Sequence, residues 1–173
     1  MKVYINRQTV EGPWGGGNNF VRAFHNLLPS KQIEVVTNPF KEIPDVIFLQ
    51  SPKPDELCKF SINEAISLKS VYPNIQLILR VNECDLRKDT VGVDDLWVES
   101  SKYVDKTVFV SNWMMSYFLD RGWAGQRNFV LYNGVNLEHF KENKKINNEK
   151  INLVTHHWSN NRMKGFDVYE KLD

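Results

Sequence analysis

The sequence predicts an α/β protein with a doubly wound, mostly parallel sheet. Short apolar runs recur along the chain, at 3–5, 33–36, 46–50, 75–81, 107–110 and 129–132. Several of them are continuously apolar and rich in β-branched residues, which is typical of strands buried on both faces of a parallel sheet. Segments with helical spacing of apolar residues lie between them. This alternation favours a fold whose ligands bind at the carboxyl ends of the strands.

Three segments between the runs have an apolar helical face. The first spans residues 20–28 and ends at Pro29, and the second spans residues 58–66. The third spans residues 114–118, with Ser111 as its N-cap and Gly122 just past its end. Trp113 and the two methionines that follow it are predicted to lie in the core.

Composition and charge exclude several classes of protein. The chain has 173 residues, of which 42% are hydrophobic and 25% charged, as in globular proteins. A net charge of +1 gives no basis for attraction to nucleic acid or anionic lipid. Cys58 and Cys84 are too few for a disulfide framework. The N-terminus is not typical of a signal peptide and no apolar run is long enough for a membrane span, so a cytoplasmic protein without a transmembrane segment is predicted.

The polar segment 141–150 is predicted to be a linker. It separates a domain at 1–140 from a short C-terminal stub at 151–173, which contains one apolar run and the start of a helix. So short a segment cannot form an independent core. It either adds to the first sheet or begins a second, truncated domain, and we expect the second. An uncovered edge near the stub predicts a possible homodimer through it.

The segment "EGPWGGGNNF" at 11–20 places Gly15, Gly16 and Gly17 between the first strand and the first helix. Glycines let a ligand approach the backbone, and the following helix start offers free N–H groups. A strained turn that needs a positive φ explains the same residues equally well. The spacing is neither a dinucleotide fingerprint nor a P-loop.

The segment "RVNECDLRKDT" at 80–90 crowds charged residues at the end of a buried strand. Asp85 or Glu83 could accept a proton from a hydroxyl group there. A solvated loop with local salt bridges is the alternative. Other candidate ligand contacts are Arg87 in this loop, Asn18 after the glycines, and Ser111, for which a plain helix cap is the simpler interpretation.

Two further segments follow. Asn133-Gly134 is a turn signal, read as a hinge into the linker or as a hairpin. Arg162 and Lys164 could bind a diphosphate through charge-assisted hydrogen bonds, or form an exposed basic turn. The adjacent His156 and His157 point to opposite faces if they lie on a strand, which disfavours a shared metal.

The glycine loop, "TVFVSNWMMSYF", "VLYNGVNLEHF" and "MKGFDVY", in this order, resemble a glycosyltransferase of the GT-B fold, family 4 (glycosyl transferases group 1). The resemblance covers essentially the whole chain and implies a Rossmann-like, acceptor-side N-terminal domain. The stub would be the first strand and helix start of the donor-binding domain, and the rest of that C-terminal domain would be missing.

By this resemblance, Gly15, Gly16 and Gly17 approach the donor phosphates and sugar, and Lys164 contacts the donor diphosphate. Asn82 stands where many relatives have a histidine near the sugar. Arg162 is a candidate for the arginine that relatives place before the lysine. The family's paired glutamates lie beyond the end of this chain.

The implied activity is transfer of a sugar from a nucleotide-sugar donor to a hydroxyl of a glycan, lipid or small molecule. No cofactor and no obligatory metal are expected, because basic side chains and helix dipoles position the diphosphate. Asp85 and Asn82 are the candidate catalytic residues, and Asn18, Arg87 and Ser111 are the candidate contacts to the acceptor. The chain alone is expected to be inactive. The alternative is a non-catalytic α/β module that binds a glycan or a partner subunit.

Overall fold

A computed structural model describes residues 1–12, 14–137, 140–141 and 162–172. The chain divides into two compact units, Met1–Tyr132 and Asn133–Asp173. The predicted linker at 141–150 and the last predicted strand lie almost entirely outside the described residues, so the domain boundaries stay a prediction. None of the helices within the described ranges is long and apolar enough to cross a membrane.

The first unit contains one parallel sheet of six strands in the order β2-β1-β3-β4-β5-β6. The strands are β1 Lys2–Ile5, β2 Glu34–Val36, β3 Val46–Leu49, β4 Gln76–Val81, β5 Lys106–Phe109 and β6 Asn128–Val130. Each neighbouring pair is parallel. The predicted doubly wound α/β fold is therefore confirmed, with every predicted strand of the first domain present.

Helices alternate with these strands. They are α1 Gly16–Leu27, α2 Ile62–Val71, α3 Asp85–Lys88, α4 Val93–Ser100 and α5 Asn112–Leu119. A short 3-10 turn, Pro29–Lys31, follows α1. The second unit contains a 3-10 turn at Arg162–Lys164 and α6 at Phe166–Tyr169.

The two faces of the sheet have separate cores. Alternate residues of β1 and β3 pack against Val21 of α1, which is fully buried. The opposite face packs against α2, α4 and α5, with Trp97 and Phe118 fully buried. Helices on both faces explain why the strands are apolar throughout rather than alternating.

One core prediction is wrong. Met114 is fully buried, but Trp113 has 48% of its surface exposed and stacks on Tyr117, with ring centroids 5.2 Å apart. A helix that packs one face on a sheet leaves its opposite face in solvent, and Trp113 lies on that outer face.

Candidate functional site

The strand order reverses between β1 and β3. The chain leaves β1 toward β2 on one side, and from β3 onward it builds outward on the other. In open parallel sheets, the crevice at such a reversal, beyond the carboxyl ends of the strands, is where ligands bind. The loops after β1, β3 and β4 therefore form the candidate site.

The glycine loop leads directly into α1. Gly15 precedes the helix, and Gly16 and Gly17 form its first turn. A Cβ added at Gly16 or Gly17 would meet nothing within 4 Å, and neither residue has a positive φ. The positive φ in this segment belongs to Gly12 instead. The open backbone at Gly16 and Gly17 thus agrees better with a ligand-facing loop than with a strained turn.

The start of α1 is electrostatically suited to an anion. No side chain caps its first N–H groups, and no acidic residue lies in its first turn. The unpaired N–H groups and the helix dipole together give this end a partial positive charge.

Asn18 braces the loop rather than facing solvent. It is 1% exposed, its Oδ1 accepts a hydrogen bond from the Val10 N–H at 2.8 Å, and its Nδ2 donates to the Val10 carbonyl at 2.9 Å. Arg22 donates to the same carbonyl at 2.6 Å. These contacts fix the path of the chain before the glycines. An acceptor contact by Asn18 stays a prediction.

Asn6 closes the gap between β1 and β3. Its side chain is buried, and its Nδ2 donates to the carbonyls of Ser51 and Phe60 at 2.8 and 3.0 Å. Its Oδ1 accepts a hydrogen bond from the Gln50 N–H at 2.6 Å. Asn6 was not among the predicted site residues, and its only trace in the sequence is a single amide side chain directly after an apolar strand.

Gln50 and Arg80 form a buried polar pair on the α1 face of the sheet. They are 3% and 2% exposed, and an Arg80 Nη1 donates to Gln50 Oε1 at 2.9 Å. The guanidinium carbon of Arg80 lies 4.0 Å from the centroid of the Phe20 ring of α1. Burial lowers the pKa of Arg80 to about 10, so it stays protonated at neutral pH. Neither residue was among the predicted site residues.

The predicted residues in the loop after β4 differ in whether the protein already occupies their polar atoms. Asn82 is half-buried, and no hydrogen bond joins its side chain to the described residues. Arg87 is exposed, and Glu83 pairs with Lys88 at 3.6 Å. Asn82 therefore keeps its polar atoms available at the carboxyl edge of the sheet, as a binding role requires.

Asp85 is held by the backbone of α4. Its carboxylate accepts hydrogen bonds from the Asp94 N–H at 3.0 Å and from the Thr90 hydroxyl at 2.6 Å. Burial on its own raises the pKa of Asp85, but these hydrogen bonds and that from Val93 outweigh it and hold the pKa below its ordinary value. A carboxylate with a lowered pKa is a weaker proton acceptor, so this geometry favours a capping role.

Asp94 makes the reciprocal contact with Asp85. Its Oδ1 accepts a hydrogen bond from the Asp85 N–H at 2.8 Å, and its Oδ2 accepts one from the Tyr117 hydroxyl at 2.5 Å. Arg121 Nε lies 3.7 Å from the same oxygen, and its guanidinium carbon lies 3.5 Å from the centroid of the Tyr117 ring. Asp94 thereby ties the loop after β4 to α4 and α5.

A surface depression of about 640 Å³ adjoins this network on the helix layer opposite α1. Its walls include Asp85, Asp94, Tyr117 and Arg121. Its position on the outer helices differs from that of the crevice where the strand order reverses, and ligands of this fold class bind in the crevice. We therefore assign the depression to the packing of α4 against α5.

The remaining predicted residues lie elsewhere. Ser111 caps α5, since its hydroxyl accepts a hydrogen bond from the Met114 N–H at 3.1 Å. Arg162 and Lys164 belong to the second unit. There Arg162 pairs with Asp167 and lies 3.4 Å from Glu170, while the Lys164 ammonium contacts no carboxylate among the described residues. Of these two, Lys164 is the one left available for a diphosphate.

Replacing Asp85 with asparagine should reduce the amount by which the free energy of unfolding falls at acid pH. The folded-state pKa is lowered, so the carboxylate stabilises the fold above about pH 4, its unfolded value, and this contribution is lost as the pH falls below that. Urea unfolding at pH 6 and pH 3 should show a smaller pH-dependent loss in the variant, by at most about 1 kcal/mol. Asp89→Asn, an exposed carboxylate of the same loop, should match the parent. Equal slopes in both variants would contradict the capping role.

A comparison with models of known protein families finds no match, and a comparison with curated protein sequences finds none either.

Proposed function

We propose that the chain is the acceptor-side domain of a nucleotide-sugar-dependent glycosyltransferase of the GT-B type. It would act with a donor-binding domain to transfer a sugar to a hydroxyl of a glycan, lipid or small molecule. The resemblance of four ordered motifs supplies this proposal, and one structural observation supports it. The open, uncapped glycine start of α1 ends the loop that follows β1, one of the two strands between which the strand order reverses.

The chemistry that this unit could contribute is mainly positioning and electrostatic stabilisation. In sugar transfer the bond between the anomeric carbon and the diphosphate oxygen breaks, and the acceptor oxygen bonds to that carbon. Negative charge accumulates on the diphosphate. The N–H groups of Gly16 and Gly17 would face this charge, and the helix dipole would lower its energy.

Asn82 would orient a hydroxyl group of the substrate. Its amide both donates and accepts hydrogen bonds, and it directly follows β4. No proton acceptor is assigned, since the hydrogen bonds to Asp85 leave it weakly basic.

Replacing Gly16 with valine should slow transfer by about 100-fold while leaving the fold intact. The added side chain meets no atom within 4 Å and needs no change of backbone, so stability should change by less than about 0.5 kcal/mol. Its methyl groups would, however, occupy the space through which a diphosphate approaches the N–H groups. Misplacement of this kind costs on the order of 100-fold in rate.

The measurement is transfer of labelled sugar from UDP-, GDP- and ADP-sugars by the full-length product of the gene, with thermal unfolding run in parallel. Gly134→Val is the matched control, because a Cβ there also meets nothing within 4 Å. Full activity of the Gly16 variant would show that the glycine loop only connects β1 to α1 and does not bind the donor. Absence of transfer from every donor by the unmodified protein would refute the proposed function.

A further inference from the structure

Polar side chains with hydrogen-bond donors line one face of the sheet at its carboxyl edge. Phe48 of β3 pairs with Ile78 of β4, and both face α1. Because side chains two residues apart share a face, Gln50 and Arg80 lie side by side on that same face. The hydrogen bond from Arg80 Nη1 to Gln50 Oε1 agrees with this placement.

Gln50 has a buried donor that the described residues do not satisfy. Arginine can only donate, so the oxygen of the Gln50 amide must face Arg80, and its Nε2 faces the other way. That nitrogen is buried and has no acceptor among the described residues. Nε of Arg7, at the end of the neighbouring β1, is likewise buried without an acceptor. Buried donors in native proteins ordinarily have partners, so the acceptor for Gln50 Nε2 would come from outside the described residues, and a ligand group is one such source.

The surroundings of Gln50 specify a negatively charged ligand. Arg80 stacks on Phe20, which lies about one helical turn after the uncapped start of α1 at Gly16. The dipole end of α1, the guanidinium and the free amide hydrogens all favour an anion. Asn82, which directly follows β4, is half-buried at the carboxyl ends of the strands.

We propose that the acceptor carries a carboxylate or a phosphate group, bound by Gln50 Nε2 and Arg80 beneath the first turns of α1. This inference rests on the proposed function, because that function assigns this unit to the acceptor side of the enzyme. The anionic group serves recognition. It is distinct from the hydroxyl that receives the sugar, and no bond to it forms or breaks. Neutral acceptors would leave the Gln50 donor unpaired and would bind more weakly.

The test is binding to the chain without any donor, by calorimetry with glucuronate, glucose 6-phosphate and glucose. At least one of the two anionic sugars should bind about tenfold more tightly than glucose, as one charge-assisted hydrogen bond allows. Comparison of the two anionic sugars tells carboxylate from phosphate. Equal binding of all three, or binding of none, would overturn the proposal.

Gln50→Glu places the change on the donor itself. The new carboxylate keeps an acceptor for Arg80, so the fold is retained, but it repels an anion and should weaken the binding of the anionic sugar at least about tenfold. Gln76→Glu makes the same change at the opposite end of β4, and its affinity for the anionic sugar should stay within about twofold of the parent's. Gln50→Met removes the donor without adding charge and replaces Gln50→Glu if that variant does not fold. Unchanged binding in the folded Gln50 variant contradicts the inference.

This experiment is independent of catalysis. Anion binding without sugar transfer in the full-length protein would leave the site standing and remove the proposed function. Sugar transfer to neutral and anionic acceptors with equal efficiency would support the proposed function and contradict the anion site.

Discussion

Asn6→Ala should lower the free energy of unfolding by about 4 kcal/mol, because each of the buried groups it now satisfies would lose its partner at 1–3 kcal/mol. These groups are the carbonyls of Ser51 and Phe60 and the N–H of Gln50. Asn6 is 3% exposed, so water cannot replace the lost bonds without opening the sheet edge. Urea unfolding followed by circular dichroism measures the effect.

Asn38→Ala is the matched control for this change. Asn38 Oδ1 accepts hydrogen bonds from the N–H groups of Phe40 and Lys41 in an exposed turn, at 3.0 and 3.3 Å. Water can satisfy those groups after the substitution, so the cost should be below about 1 kcal/mol. Similar losses in the two variants would mean that Asn6 does not lock β1 to the loop after β3. If Asn6 does hold β1 to the loop after β3, Asn6→Ala should also weaken anion binding near Gln50, whose N–H donates to Asn6.

The strands could be predicted from sequence because burial on both faces leaves a simple trace. Runs such as "VIFLQ" and "IQLILRV" are continuously apolar, and they correspond to β3 and β4. By contrast, α4 was not predicted. Its sequence, "VDDLWVES", is short and acidic, and Gly92 precedes it in the left-handed region. The carboxylate that caps it comes from Asp85, nine residues earlier, a contact that local patterns do not reveal.

The candidate site was predictable in its location more than in its residues. The charged residues and the glycines that were predicted as site residues lie in the loops after β4 and β1, at the carboxyl ends of those strands, and their role stays a prediction. Asp85 was predicted as a proton acceptor, but charge along a sequence does not show which hydrogen bonds a carboxylate accepts. Gln50 and Asn6 were missed because one amide at the end of an apolar run resembles any strand terminus. Their significance depends on β1 lying beside β3, which only the topology shows.

Asp94→Ala should cost about 3 kcal/mol, because Asp94 is a buried charge that joins three helices. The Asp85 N–H and the Tyr117 hydroxyl would lose their acceptor, and Arg121 would lose its partner carboxylate. The loop that carries Asn82 and Arg87 starts from this network, so it should also become more mobile. Hydrogen exchange of residues 82–92 should therefore accelerate together with the loss of stability.

Three further variants separate the contributions within this network. Tyr117→Phe removes only the bond from the hydroxyl to Asp94 and should cost about 1.5 kcal/mol, the value of a hydrogen bond to a charged group. Asp94→Asn keeps an acceptor for the Asp85 N–H and should fall between Tyr117→Phe and the alanine variant. Asp95→Ala, an exposed neighbour in the same helical turn, should lose only its dipole contribution, about 0.5 kcal/mol. If Asp94→Ala were no worse than Asp95→Ala, the loop after β4 would be positioned by packing, and Asn82 would owe its place to β4 alone.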